Sequence, residues 1–270
     1  MMEKPTGTQH SEVSMSRSYV VTGGGQGIGR AVVERLLNEA GTVVVIEFDQ
    51  AALAWVNDHP AGSRVKAMVG DAADEKVTER AEDLAMDLGA LTGWVNNAAV
   101  FRDASIHSAG AHTVLDLVAL NLNPAVVGCA TAIRRFLATG TLGAIVNLSS
   151  HQARQAVPGC TPYIIAKAAI EGLTRALAVE YGPHGIRVNA VAPGSVETER
   201  YEAFLGQQGP EAIARIEEEM RLLHPLGRVA RAQEIADAIV YLLSDDASFI
   251  NGATLPVDGG RSVLARDPEA

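Results

Sequence analysis

The sequence predicts an α/β chain built on one doubly wound, parallel, seven-stranded sheet with helices on both faces. Short β-branched runs alternate with longer segments of helical period, which is the pattern of successive βαβ units. The run over residues 42–47 is almost continuous Val and Ile, as a strand buried on both faces requires. No Pro/Gly-rich linker interrupts the pattern between Tyr19 and Val257, so one domain over residues 17–260 is the simplest division.

In chain order, a strand at 19–22 leads into a helix over 28–39, and the strand at 42–47 into a short helix over 50–57. A strand at 64–69, a helix over 75–88 and a strand at 92–96 follow. Next come a helix over 113–138, a strand at 144–149, a helix over 162–181 and a strand at 186–192. In the helix over 162–181, Ala166, Ala169, Ile170, Leu173 and Leu177 form a stripe at helical spacing that should face the sheet. Helices over 210–222 and 232–244 and a strand at 254–257 close the pattern. The least regular stretch, 195–226, is rich in Glu and Arg and holds Gly206 and Gly209; it reads as a lid over the substrate.

The ends and the composition restrict the function further. Residues 1–16 are polar and lack the basic start and apolar run of a secretory signal, so they read as a disordered leader, and 261–270 as a C-terminal tail. A formal charge of −10 over 270 residues, with Lys and Arg scattered, argues against a nucleic-acid footprint. Cys129 and Cys160 form no CxxC pair and no metal-ligand spacing, so they read as core thiols in a reducing compartment. No run approaches the roughly 20 apolar residues that a bilayer crossing needs, and a cytoplasmic protein is expected.

Thr22-Gly23-Gly24-Gly25-Gln26-Gly27-Ile28-Gly29 lies where the first strand meets the first helix. Residues without Cβ let the backbone turn tightly and approach a pyrophosphate, while free N–H groups at the helix start offer it partial positive charge. The glycines follow a Gly-x-x-x-Gly-x-Gly spacing from Gly23 to Gly29, and no GK[ST] phosphate loop is present, which sets an NTPase aside. Glu47 ends the second strand, where a carboxylate accepts from both adenosine ribose hydroxyls and repels a 2′-phosphate. NAD is therefore favoured over NADP, with Asp49 as a rival for the role. Arg30 is the nearest cation and points from the helix, and no basic residue stands beside Gly23 to Gln26.

Tyr163 and Lys167 are four apart at the start of the striped helix, so they project from one face. Asn147-Leu148-Ser149-Ser150 closes the strand upstream, and Asn121 lies in Ala119-Leu120-Asn121-Leu122. Together with Asp71, Asn96-Asn97-Ala98-Ala99, Pro193-Gly194 with Thr198, and Val257-Asp258-Gly259-Gly260, these residues resemble the short-chain dehydrogenase/reductase family across residues 17–260.

The resemblance implies an oxidoreductase moving a hydride between NAD(H) and a secondary alcohol or ketone. Its catalytic set here is Asn121, Ser150, Tyr163 and Lys167. Ser150 is preferred to Ser149 because the family's serine falls thirteen positions before its tyrosine. A phenol near pKa ~10 is a weak base at neutral pH, and a neighbouring Lys167 ammonium together with the positive nicotinamide ring should lower it. Ser150 would hydrogen-bond the substrate oxygen, and Asn121 would hold a water that relays protons from Lys167. Cofactor contacts by the same resemblance are Gly23, Gln26, Gly27, Ile28 and Gly29, then Glu47, Asp71 and Ala72. Asn97, Ala98 and Ala99 line the trough, Pro193, Gly194, Val196 and Thr198 its far side, and Tyr163 and Lys167 the nicotinamide end. Apart from the resemblance, Asp71 reads as a turn acid, Asn97 as a strand-end bond and Thr198 as a helix N-cap; with it, the cofactor roles are favoured.

Two departures bear on substrate. Ala99 stands where the family commonly has Gly, and His151-Gln152 follow Ser150 where small residues are frequent. His151 and Gln152 are either a solvent-facing pair or selectors of a polar substrate, beside Ser150 and Tyr163. His107 and His112 should be surface residues. Two other readings stand beside the first: an NADP(H)-dependent 3-oxoacyl or polyketide-type ketoreductase, and a non-catalytic dinucleotide-sensing protein, which would have no need of the full tetrad. The resemblance also implies a homodimer or homotetramer.

Overall fold

The computed structural model describes residues 16–265. The expected leader lies outside the described residues except for Ser16, whose hydroxyl donates to the Leu88 carbonyl at 3.0 Å. The elements are β1 (Arg17–Thr22), α1 (Gly27–Asn38), β2 (Thr42–Glu47), α2 (Ala54–Asn57), β3 (Val65–Val69), α3 (Glu75–Leu88) and β4 (Ala90–Asn96). They continue with α4 (Ile106–Thr139), β5 (Ala144–Leu148), α5 (Thr161–Tyr181), β6 (Arg187–Pro193) and β7 (Val196–Glu197). The last are α6 (Glu199–Gly206), α7 (Pro210–Leu223), β8 (Ala230–Arg231), α8 (Ala232–Leu243) and β9 (Thr254–Val257).

Seven strands form one parallel sheet in the order β3-β2-β1-β4-β5-β6-β9. The order reverses between β1 and β4, and in such sheets ligands bind beyond the carboxyl ends of the strands at that switch. Neighbouring strand residues face opposite sides, and this sorts the core into two layers. Val21, Val43, Val45, Val95 and Val146 pack with α1 and α8 on one side. Val20, Val44, Ile46, Trp94, Ile145 and Val188 meet α3, α4 and α5 on the other.

A buried polar seam runs through the second layer. Asn96 Nδ2 donates to Asn147 Oδ1 at 2.8 Å, joining the ends of β4 and β5. Asn147 Nδ2 donates to Thr174 Oγ1 on α5 at 3.0 Å, and Trp94 Nε1 to Asn96 Oδ1 at 2.9 Å. Helix α4 passes this seam at Gly128, where a Cβ would lie 2.0 Å from Asn96 Oδ1.

Several sequence expectations change. The helix expected from 113 starts at Ile106, with Gly110 at φ 80° breaking its regularity one turn in. Residues 50–57 split into a 3₁₀ turn, Ala51–Leu53, and the single turn of α2. The stretch 195–226 contains an additional helix, α6, and β7, which pairs in parallel with β8. Arg261–Val263 form a 3₁₀ turn, and Gln155 Nε2 donates to the Ser262 carbonyl at 3.0 Å. The expectation that no segment is apolar enough to cross a bilayer also needs correction. By length and composition α4 is, with a window of mean hydropathy 1.5. Its inner side, including Val118, Asn121, Gly128 and Ala132, is buried in the fold. Cys129 is a core thiol as expected, whereas Cys160 is half-buried.

A Gly128→Ala substitution should force α4 away from the seam and destabilise the protein by about 1–3 kcal/mol, the usual cost of overpacking. Urea unfolding measures it; an unchanged midpoint would mean that α4 and β4 are not in such close contact.

Candidate active site

The turn after β1 has the backbone that its glycines suggest. Gly23 and Gly27 have φ of 65° and 55°, a left-handed region that side chains resist. A Cβ on Gly29 would lie 2.0 Å from the Gly23 carbonyl oxygen, so the start of α1 packs directly on the turn. Thr22 and Asn97 brace it. Thr22 Oγ1 accepts from the amides of Asn97 and Ala98, and Asn97 Nδ2 donates to the Gly23 carbonyl at 2.8 Å. Asn97 thus makes the strand-end bond while also lining the cavity. The Gly27 amide donates to Glu199 Oε2 at 2.9 Å, so the helix start already binds a carboxylate oxygen. That donor set fits an anionic phosphate oxygen.

Glu47 sits beside this turn. Its Oε2 accepts from the Gly25 amide at 3.1 Å and its Oε1 from the Phe48 amide at 2.8 Å. Asp49 instead holds the Ala51 amide at 2.9 Å. Arg30 is drawn off by Glu34 at 2.9 Å and by the face of Trp55 at 4.9 Å. Asp71 Oδ1 accepts from the Ala73 amide and Thr198 caps α6, so both keep local roles as well as cavity positions.

Tyr163 and Lys167 face inward from the first turns of α5, and both are buried. Lys167 is 2% exposed, and its Nζ donates to the Leu148 carbonyl at 2.6 Å. Burial alone pushes its ammonium down to about 8. Burial pushes the Tyr163 phenol up to about 12, against a hydrogen bond with Ser150 and the charge of Arg200. In the chain alone, loss of solvent outweighs the charges near the phenol, and Lys167 Nζ lies 5.5 Å from the ring centroid.

Ser150 and Ser149 diverge as adjacent extended residues should. Ser150 Oγ accepts from the Gln152 amide at 3.2 Å and bonds Tyr163. Ser149 Oγ instead has its one hydrogen within reach of the Lys167 carbonyl at 3.3 Å and Glu171 Oε1 at 3.2 Å, and the other Glu171 oxygen accepts from Arg154 Nε at 3.0 Å. Asn121 is buried, but its side chain is committed: Oδ1 accepts from the Val100 amide at 2.9 Å and Nδ2 donates to the Leu117 carbonyl at 3.2 Å. One turn away, Pro124 offers no N–H to the Leu120 carbonyl.

A single cavity of about 780 Å³ joins these parts. It is lined by Gly23, Gln26, Gly27, Ile28, Glu47, Asp71, Ala72, Asn97, Ala98 and Ala99. Ser150, Tyr163, Pro193, Gly194, Val196 and Thr198 line it too. Gly29, Asn121 and Lys167 are not among the residues that line it. His151 is 8% exposed, which excludes the solvent-facing reading, and it lines the cavity with Gln152. His107 and His112 are exposed on α4. Sequence reasoning passed over the outer wall: the Arg200 guanidinium stacks 3.7 Å from the Phe101 centroid, and that ring lies 4.9 Å from the Tyr163 ring. No local pattern marks Phe101 or Arg200, because they meet across 99 residues of chain.

The chain is similar to known proteins along nearly its whole length. Residues 23–262 match a family model described as enoyl-(acyl carrier protein) reductase. The 2-(S)-hydroxypropyl-CoM dehydrogenase 3 of Xanthobacter autotrophicus is 34% identical over 251 residues, covering 90% of this chain and 96% of its own. The levodione reductase of Leifsonia aquatica is 33% identical, covering 91% of this chain and 94% of its own. A crystal structure of levodione reductase matches with a TM-score of 0.83 at 32% identity, over 93% of this chain and 100% of that one. With a match over nearly its whole length, the chain belongs to the short-chain dehydrogenase/reductase family, NAD(P)-dependent oxidoreductases acting on CH–OH groups.

Proposed function

We propose that the protein uses NAD(H) in preference to NADP(H) to interconvert a secondary alcohol and its ketone, with Tyr163 as the proton-transferring group. The observation that carries this reading is one cavity lined by the glycine turn, Glu47, Ser150 and Tyr163. Glu47 places a carboxylate 3.1 Å from the Gly25 amide, where a 2′-phosphate would meet like charge, and Arg30 is held elsewhere by Glu34 and Trp55. Gly27 and the start of α1 would hold the pyrophosphate, Asp71 and Ala72 the adenine end, and Thr198 the far side.

The chemistry that bound NAD(H) supplies is hydride transfer at the nicotinamide. The chain handles the proton and the developing charge. Tyr163 Oη takes the hydroxyl proton in oxidation and returns it in reduction. Ser150 Oγ accepts from the Gln152 amide, and its one hydrogen would turn from Tyr163 to the substrate oxygen as charge grows there. Lys167 spends one N–H on the Leu148 carbonyl and keeps two, for the nicotinamide ribose and a proton path past Asn121. Helices α6 and α7 form the lid over the substrate. Leu115 and Val126 on α4 and Ile165 and Val179 on α5 are exposed, which supports the homodimer or homotetramer of the family expectation.

Isothermal titration should show NADH binding more tightly than NADPH, with the margin shrinking in Glu47→Ala; tighter NADPH binding would favour the ketoreductase reading. Tyr163→Phe should keep its NADH affinity and lose turnover by a factor of about 10²–10⁴, the range for one acid–base group; retained turnover would remove Tyr163 from its role. In the reductive direction the Tyr163 phenol keeps its proton well past neutrality, while Lys167 loses its own near pH 8. Steady-state reduction should therefore be level below about pH 7 and fall as pH rises through about 8, whereas oxidation, which needs the phenolate, should climb over the same range.

A further inference from the structure

The charged side chains that line the cavity divide by sign. Its carboxylates are each held by a backbone amide: Glu47 by Gly25, Asp71 by Ala73 and Glu199 by Gly27. Its guanidiniums, Arg102 and Arg200, come with Phe101; one follows it in the chain and the other stacks on its ring. Neither guanidinium forms an ion pair among the described residues.

Arg200 is held in a definite orientation. Thr198 Oγ1 accepts from the Tyr201 amide at 3.4 Å and fixes the first turn of α6, from which Arg200 projects. The guanidinium carbon lies 3.7 Å from the Phe101 centroid, direct contact of the kind that flat stacking gives. Stacking occupies the face of the group and leaves its N–H donors, which lie in its plane, around the edge. Glu199 is no partner for them: its carboxylate is on the Gly27 amide, and successive residues of a helix do not face each other.

This donor edge is close to the reacting groups. The Phe101 ring is 4.9 Å from the Tyr163 ring, so the guanidinium carbon is no farther from Tyr163 than these two spans laid end to end. Its charge reaches the phenol and pulls it down against the effect of burial. Phe101 is 48% exposed, which leaves an open apolar edge between the two. A small molecule whose oxygen meets Tyr163 and Ser150 can cross that edge and put an anionic group on Arg200.

We infer that the substrate carries a carboxylate within a few bonds of the reacting carbon, and that Arg200 binds it through two parallel N–H donors. The class is a hydroxy acid in oxidation and a keto acid in reduction. Arg102 adds a second positive charge to the same cavity. The inference rests on the secondary-alcohol reading above. In reduction the ketone carbon takes hydride from NADH and its oxygen takes a proton from Tyr163, while the carboxylate keeps all its bonds. A planar fork with two matched donors suits a carboxylate, and a methyl ester of the same shape offers no charge to it.

The test compares kcat/KM with NADH at pH 7 for acetoacetate, levulinate and 5-oxohexanoate, each against its own methyl ester, with NADH binding measured on every preparation. At least one acid should exceed its ester by about tenfold or more, as a hydrogen-bonded charge pair requires. That ratio should fall toward unity in Arg200→Met, mainly through a higher KM for the acid, and should be kept in part by Arg200→Lys, which retains charge without the fork. Calorimetry adds a readout without turnover: the NADH complex of Tyr163→Phe should bind the favoured keto acid about tenfold more tightly than does the same variant with Arg200→Met added. Esters used as well as all three acids, a ratio that survives Arg200→Met, or no keto acid turnover by protein that binds NADH would each overturn the inference and leave the cofactor reading standing. Failure to bind either NADH or NADPH would overturn the underlying reading and the inference with it.

Discussion

The amide bridge between Asn96 and Asn147 holds the parts of this site in register. It ties the carboxyl ends of β4 and β5 together, and the Asn147–Thr174 bond extends it to the helix that carries Tyr163 and Lys167. Trp94 completes the Asn96 oxygen, and Gly128 lets α4 close over the seam. Ser150 stands at the end of β5 and Tyr163 on α5, so their meeting depends on this link. A buried polar network with its partners supplied is directional in a low-dielectric interior and specifies one arrangement where apolar packing alone would tolerate several. The second tie, from Lys167 Nζ to the Leu148 carbonyl, works from the other end of the same strand-to-helix connection.

One physical cause sets the protonation of the buried groups around the cavity. Removal from water penalises charged forms, so Tyr163 is pushed up, Lys167 down and His151 down. Each shift favours the neutral side chain. A group that exchanges a proton with substrate in such a place does so without a bulk-water competitor, and a neutral imidazole with its hydrogen directed at Pro193 presents a lone pair rather than a charge. Charge is placed at the rim instead: Glu47 over the glycine turn, Glu199 at the start of α1 and Arg200 stacked on Phe101.

Much of this was legible because it is encoded locally. Tyr163 and Lys167 share a face by helical spacing alone, and continuous Val and Ile in β2 mark a strand covered on both sides. The turn from Thr22 to Gly29 announces itself by glycines whose backbone only such residues adopt easily. Helix α6 was not legible: it is eight residues long, with no buried face, and β7 finds its partner β8 more than thirty residues downstream. The onset of α4 was misplaced because Gly110 masks a turn that precedes it.

The sequence by itself determined the sheet, its strand count, the glycine turn and the spacing of the chemical residues, since hydrophobic period and backbone preference act over a few neighbouring positions. Tertiary structure alone decided which side chains lose their water and whom they meet: that His151 is buried, that Lys167 is spent on the Leu148 carbonyl, and that Arg200, Phe101 and Tyr163 form one column. Desolvation and pairing depend on distant segments arriving together, and no local pattern records who the neighbour will be.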